Sequence, residues 1–447
     1  MAKIVFFLLF SFSLNAMTSE EWQAYKQSDA YKQELAEIEA RKARSRSFKE
    51  TQKEMLSTQH IHQLSKSAIK NIGNPYKNYY KNGEHIFSRN IWDMHTYKGK
   101  IFFGAGNSAN KGPSPNSGPV PIMSYDPKSE RFIKEGVVAE EQINIYRTIN
   151  DELFIPGHDA TQNWSYGNLY KRLGDGSWKK YRSVPNALHL FDLAYFNNRL
   201  FTGLGLNNIS AVATSLNLGQ TWEVNTLGES PSRVYSFLEV ENTLYAMKSF
   251  TPYSIRRRWK PTQNKNYFSV GQYRLGSHFI PRYDLTPEVM FPATSLNSKK
   301  SKKIIRTKKV GTSAIYIGAY ISNDHHSLPF GAYIVSSLDA NKPVITKIPI
   351  PKNYVPWDTL VKDEYIYLLC YDGSHVVVLQ ALVAKPLQWS TLFQFSSATF
   401  ARSFELLNGD FYFGLGSDVK NLNKWQQSEL HPQTGDILKV SFDEKSN

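Results

Sequence analysis

The chain has 447 residues, 14% of them aromatic and 21% charged, which excludes a disordered polypeptide and leaves room for several small domains or one large repeat array. A formal charge of +14 favours anionic partners such as acidic polysaccharide or lipid headgroups, without choosing among them. A single cysteine, Cys370, excludes an internal disulfide framework.

In chain order, residues 1–16 read as a secretory signal. Lys3 supplies the positive start, Ile4 to Leu14 the apolar stretch, and Leu14-Asn15-Ala16 a small-residue cleavage site. No later segment approaches the length of a membrane span. The expectation is a periplasmic or secreted protein without a transmembrane segment, for which a nucleic-acid partner is not expected. Residues 17–73 lack the strand pattern of the rest of the chain. Thr18 and Glu21 fit a capping box, and good helix formers continue without Pro or Gly through Ser45. The reading is a helical extension that packs on its neighbour, acts as a tether or binds a protein partner.

Residues 74–447 carry a repeat. WDMHTYKGKIFFGAGN, from Trp92, returns as FDLAYFNNRLFTGLG, from Phe191. Each copy is a strand, a polar turn and a second strand ending in glycines. Fainter copies lie beyond and between them, and the second strands begin at Ile101, Leu153, Leu200, Leu244, Ile315, Ile366 and Phe411, in steps of 52, 47, 44, 71, 51 and 45. Short strands at that period predict an all-β, seven-bladed β-propeller of four-stranded blades, with Ile437–Phe442 closing the ring. The 71-residue step holds an insertion that includes the basic run Ser298–Lys309, which reads as a solvated loop. Arg256, Arg257 and Arg258 form a second basic cluster.

Ser215-Leu-Asn217-Leu-Gly219-Gln-Thr221-Trp222 resembles the Asp-box (BNR repeat) of sialidases and related propellers, whose pattern is Ser-x-Asp-x-Gly-x-Thr-Trp. Asn217 stands where the family has aspartate. The resemblance implies a structural hairpin at the turn between the third and fourth strands of a blade. It implies the fold only, because Phe154-Ile155-Pro156 lacks the arginine of the sialidases' Arg-Ile-Pro motif. Propellers of this look also include polysaccharide lyases acting on uronate-containing glycans.

Propeller geometry then narrows the search. The connections between second and third strands and between blades emerge on one face, together with the starts of the innermost strands. Long loops at 104–121, 156–168 and 205–211 lie there. The same face gathers Asp93, Asn107, Asp159, Asp192, Arg233, Asp358 and Arg402 as candidate ligand-binding residues, and His158, His189, Arg147 and Tyr235 as candidate catalytic ones. Arginine forks suit carboxylate or sulfate, and His or Tyr is what a lyase needs to remove the proton alpha to a neutralised carboxylate. A glycosidase would need two carboxylates flanking the bond. The alternatives for the aspartates are hydrogen bonds to a neighbouring blade, and for the arginines, pairing with those aspartates. No metal or cofactor is expected, since the consecutive spacing of Asp324-His325-His326 suits no well-known site. The function expected is binding, with or without cleavage, of an anionic polysaccharide or glycan. The rival is a non-catalytic scaffold for a protein or cell-envelope partner.

Overall fold

The computed structural model describes residues 63–441 apart from 82, 110–113, 207–208, 230–231, 260–266, 322–326, 341 and 419–429, together with scattered residues between 23 and 43. The expected signal segment and Asp324-His325-His326 lie outside the described residues. The chain divides into two units, 1–58 and 59–447. In the first, the described residues are mainly helical. Among the described residues, no helix is long and apolar enough to cross a membrane.

The second unit is a seven-bladed β-propeller of four-stranded antiparallel blades. Blade 1 comprises β2 (Asp93–Tyr97), β3 (Lys100–Gly104), β4 (Val120–Asp126) and β5 (Arg131–Val138). The innermost strands of blades 2 to 7 are β6 (Arg147–Ile149), β10 (His189–Phe196), β14 (Val234–Val240), β18 (Lys302–Val310), β22 (Val355–Lys362) and β26 (Ala401–Leu407). Each is followed by its three outer strands in order, except in blade 7. There β28 (Ile437–Ser441) pairs with β27 (Asp410–Leu415), and β1 (Ile69–Gly73) adds the outermost strand. The two ends of the unit thus meet in one sheet, which leaves no open seam. The propeller takes in residues just before position 74 in doing so.

Each inner hairpin turns in two residues, as the pairs Tyr97↔Lys100, Phe196↔Arg199 and Leu407↔Asp410 illustrate. Such turns need left-handed backbone, which glycine and asparagine supply most readily. Lys98-Gly99, Asn197-Asn198 and Asn408-Gly409 have both residues at positive φ. The second strands then run almost wholly buried, as IFF in Ile101–Phe103 and IYLLCY in Ile366–Tyr371. Their aromatic side chains fill the space between blades: Phe201 meets Phe237, and Phe413 meets Phe393 and Phe395. Truncating a wholly buried ring such as Phe413 costs about 3–5 kcal/mol.

The basic run departs from its expected role as a loop. Lys302–Val310 is the innermost strand of blade 5, with Lys302 and Lys303 buried. Its apolar residues Ile304 and Val310 are buried in a paired strand and decide the matter over its charge. The extra residues of this step lie instead in two connections on the loop-rich face, which hold the short helices Tyr253–Trp259 and Pro287–Met290.

At the Ser215–Trp222 hairpin, Asn217 Oδ1 accepts from Thr221 N at 2.9 Å and Ser215 Oγ accepts from Gly219 N at 2.9 Å. Leu218 and Gly219 are both at positive φ. Trp222 folds under the turn, donating to Gly219 O at 3.1 Å and Ser183 Oγ at 3.0 Å. Asparagine thereby makes the local bonds that a carboxylate would make.

Candidate functional site

A recurrent irregularity builds the channel mouth. In four blades the innermost strand has a bulge near its start, which leaves one residue unpaired: Phe191, Tyr235, Trp357 and Arg402. In blade 5 the irregularity spans Arg306 and Thr307. A bulge re-aims its extra side chain, and all six of these residues line one cavity of about 370 Å³ at the mouth. That volume is within the usual range of small-molecule sites, roughly 300–1,000 Å³.

The residue after the bulge does a different job. Asp192 Oδ2 accepts from Phe237 N of the next blade at 3.1 Å, and Asp358 Oδ2 from Phe404 N at 3.3 Å. Asp93, at the same repeat position in blade 1, accepts from Tyr146 N at 2.8 Å. Where that position is serine the bond runs the other way. Ser236 Oγ donates to Ile304 O at 3.0 Å and Ser403 Oγ to Ile91 O at 2.8 Å. The ring aspartates are therefore ties between blades.

Most of the mouth arginines are spent on these ties. Arg147 Nη2 lies 2.8 Å from Asp192 Oδ1. Arg306, held at φ +54°, reaches Asp93 at 3.1 Å and Asp358 at 3.4 Å, and also donates to the Trp92 carbonyl. It joins blade 5 to blades 1 and 6. Arg402 is buried, donates to Asn90 Oδ1 at 3.0 Å and Ser417 O at 2.9 Å, and stacks 4.2 Å from the Trp92 ring. Asn107 is equally occupied: its amide donates to Ser114 O and Pro115 O, pinning its own loop. Arg233 differs. It is half-buried, lies 5.6 Å over Phe191, and among the described residues has no carboxylate within ion-pair distance.

Beside Arg233 the cavity wall carries His158, Asp159, His189 and Tyr235. His189 Nδ1 lies 2.8 Å from the His158 carbonyl and 3.6 Å from Asp159 Oδ2. Phe191 stacks between His189, at 5.4 Å, and Tyr235, at 4.8 Å. Lys303 sits 4.9 Å over the Tyr235 ring. Burial pushes the Asp159 carboxyl up to about 8; the nearby Glu141 and Glu140 carboxylates add to the rise and Arg233 opposes it.

Glu140 and Glu141 belong to the connection between blades 1 and 2. That connection runs beside 159–161, with Glu141 N donating to Asp159 O at 2.8 Å and Thr161 N to Ala139 O at 3.0 Å. Glu140 is wholly buried: its Oε1 accepts from Asn168 and Tyr170, while its Oε2 has no partner among the described residues. Burial pushes it up to about 7. It lies directly under the glycine of Pro156-Gly157-His158-Asp159. A Cβ at Gly157 would stand 3.0 Å from the Glu140 carboxyl and 2.5 Å from the Asn168 carbonyl, so only glycine fits.

No family model matches the sequence, and neither does any curated protein. Among solved structures the chain is similar to the WD40 repeats of RRP9, with 10% identity over 86% of this chain and 100% of that one, at a TM-score of 0.47. It is similar as well to YCF48 from Cyanidioschyzon merolae, with 11% identity over 81% and 97% at 0.44. The propeller domain of the Trilobed protease from Pyrococcus furiosus matches with 11% identity over 72% and 90% at 0.43.

The structure thus brings together His158, Asp159, His189, Arg147, Asp192, Arg233, Tyr235 and Arg402 on one cavity, while Asn107, Asp93 and Asp358 stand behind it. Sequence reasoning missed Glu140, Glu141 and Lys303. The first two were legible only as an acidic pair in a connection on the loop-rich face. Lys303 was hidden in the basic run. Among the described residues, no group of three potential ligands is arranged to hold a metal ion.

Proposed function

We propose that this chain is an exported carbohydrate-binding propeller that holds the carboxylate of an acidic glycan at its channel mouth through Arg233. One observation carries the reading: Arg147 and Arg306 are neutralised by ring aspartates and Arg402 is buried in internal bonds, whereas Arg233 faces the cavity across Phe191 without a carboxylate partner among the described residues. A guanidinium in a partly desolvated wall binds carboxylate strongly. Phe191 and Tyr235, which line the cavity, supply apolar surface for a sugar ring, and His158, His189 and Asp159 supply polar groups for its hydroxyls. Export rests on the pattern of residues 1–16, and kinship with Asp-box propellers on the Ser215–Trp222 turn. A cleaving enzyme is the finer alternative. His158, His189 or Tyr235 would then take the proton alpha to the carboxylate at Arg233.

The test is calorimetric titration with trigalacturonate, an alginate trimer, sialyllactose and neutral maltotriose. One acidic sugar binds, maltotriose does not, and Arg233→Gln weakens the acid about ten- to a hundredfold, the loss of about 1.5–3 kcal/mol expected for a charged hydrogen bond. Equal binding of acid and neutral sugars, or an unaltered Arg233→Gln, ends the reading in favour of a scaffold for a protein partner. New unsaturated-uronate absorbance during the titration extends it to a lyase. Sugar release without that absorbance extends it to a hydrolase that uses Asp159.

A further inference from the structure

Three carboxyl groups converge behind one wall of the mouth, and the backbone fixes them there. The Glu141 N–H to Asp159 carbonyl bond and the Glu140–Ala160 bridge hold residues 139–141 against 159–161. Asp159 is buried yet faces the cavity, and among the described residues its ion-pair contact is His189 at 3.6 Å. Glu140 is sealed beneath Gly157, and among the described residues Glu140 and Glu141 each keep one buried oxygen without a partner. The groups facing this cluster are His158 and His189 from the wall, Arg233 from blade 4, Lys180 from blade 2, and the Tyr170 hydroxyl, which donates to Glu140. So many carboxyls beside so little positive charge do not all ionise near neutrality.

We infer that Asp159 is the residue that sets the charge this site accepts: an anion settles on Arg233 only while Asp159 is a neutral acid, so the anion and one proton bind together. The inference rests on the reading of Arg233 as the carboxylate site. When Asp159 ionises it claims Arg233 for itself. When an anion occupies Arg233, the cation that helps Asp159 ionise is lost, and the carboxyl keeps its proton. The rise of Asp159 to about 8 puts the change just above neutrality. Raising the pH releases the ligand, and lowering it toward 7 restores binding.

The experiment has a ligand-free arm and a ligand arm. In the first, the Asp159 carboxyl is titrated by carbon-13 NMR of the full chain, assigned by its absence in Asp159→Asn. It titrates well above the ordinary aspartate range. Arg233→Gln moves it up and Glu141→Gln moves it down, two opposite shifts that general damage to the fold would not produce. In the second arm, trigalacturonate is titrated in two buffers of different ionisation enthalpy. Binding takes up about half a proton at pH 8, approaching one at pH 9, and is about tenfold weaker at pH 9 than at pH 7, as a single linked proton requires. In Asp159→Asn both the uptake and the pH dependence vanish. An Asp159 that titrates below pH 6, or sugar binding without proton uptake, overturns the inference. If Asp159 titrates and shifts as stated while no acidic sugar binds, the linkage of Asp159 to Arg233 stands and the carbohydrate reading falls.

Discussion

Two kinds of aspartate share the channel mouth and live under opposite conditions. Asp93, Asp192 and Asp358 recur at one position of the repeat, are buried, and are filled by a backbone N–H from the next blade and by an arginine. Asp159 is as buried as they are, but it sits on a loop, has no arginine within ion-pair distance among the described residues, and shares its surroundings with Glu140 and Glu141. Burial raises Asp192 and Asp358 as well, but an arginine and backbone N–H groups in contact with each oppose the rise. Asp159 is stabilised by being neutral. What distinguishes a binding residue here is therefore its unmet electrostatic need.

The largest test of that contrast is Asp192→Ala. It leaves Arg147 and the Phe237 and Leu193 N–H groups without their acceptor in a buried setting, for a loss of about 3–5 kcal/mol in urea unfolding. Asp159→Asn goes the other way. A carboxyl raised from its ordinary value to about 8 binds a proton in the folded state that the unfolded chain has released, so the wild type loses stability as pH rises from about 4 to 8. The asparagine variant escapes this, so its stability relative to the wild type rises by on the order of 5 kcal/mol between pH 4 and pH 8, at about 1.4 kcal/mol per pH unit. A destabilised Asp159→Asn at pH 8 would put Asp159 among the structural ties and erase the distinction.

The fold was legible because its signal is periodic. Ile101, Leu153, Leu200, Leu244, Ile315, Ile366 and Phe411 all lie in second strands, since polar turn residues such as Asn197-Asn198 precede a run of buried apolar side chains each time. The candidate site was legible by address: His158, His189, Arg233 and Tyr235 share one cavity because the topology sends those segments to one face. The bulges were not legible. They turn Phe191, Tyr235, Trp357 and Arg402 toward the channel and the next residue toward the neighbouring blade, and a period-two pattern carries no mark of that change of register. Nor does a sequence tell which arginine is left over once Arg147 and Arg306 have found their aspartates. For the basic run, charge density argued for a loop, but Ile304 and Val310 are buried in a strand, and Lys302 and Lys303 are buried with them.

The same repeat position offers a smaller test within the ring itself. Ser236 replaces the aspartate in blade 4 and donates to the Ile304 carbonyl. Ser236→Ala strips one neutral bond and strands one buried acceptor, for a loss of about 1–2 kcal/mol in thermal or urea unfolding. Because Ser236 carries no charge, that loss should be the same at pH 5 and pH 8. A cost equal to that of Asp192→Ala would mean that the tie alone matters and that the charge of the ring contributes nothing.

The finest distinction lies in Arg306, which combines a ring tie with a strained backbone. Its φ of +54° falls where a side chain crowds the following carbonyl and glycine is at ease. Arg306→Ala loses the bonds to Asp93, Asp358 and Trp92 and keeps the crowding, whereas Arg306→Gly loses the same bonds and relieves it. The glycine variant should therefore be the more stable of the two by about 1 kcal/mol, reversing the usual order for a strand, where glycine is the weaker residue. If alanine proves the better tolerated, the left-handed turn at Arg306 follows from its ion pairs and relaxes without them. If glycine does, the bulge belongs to the blade, and the arginine is accommodated in it to hold Asp93 and Asp358 together across the channel.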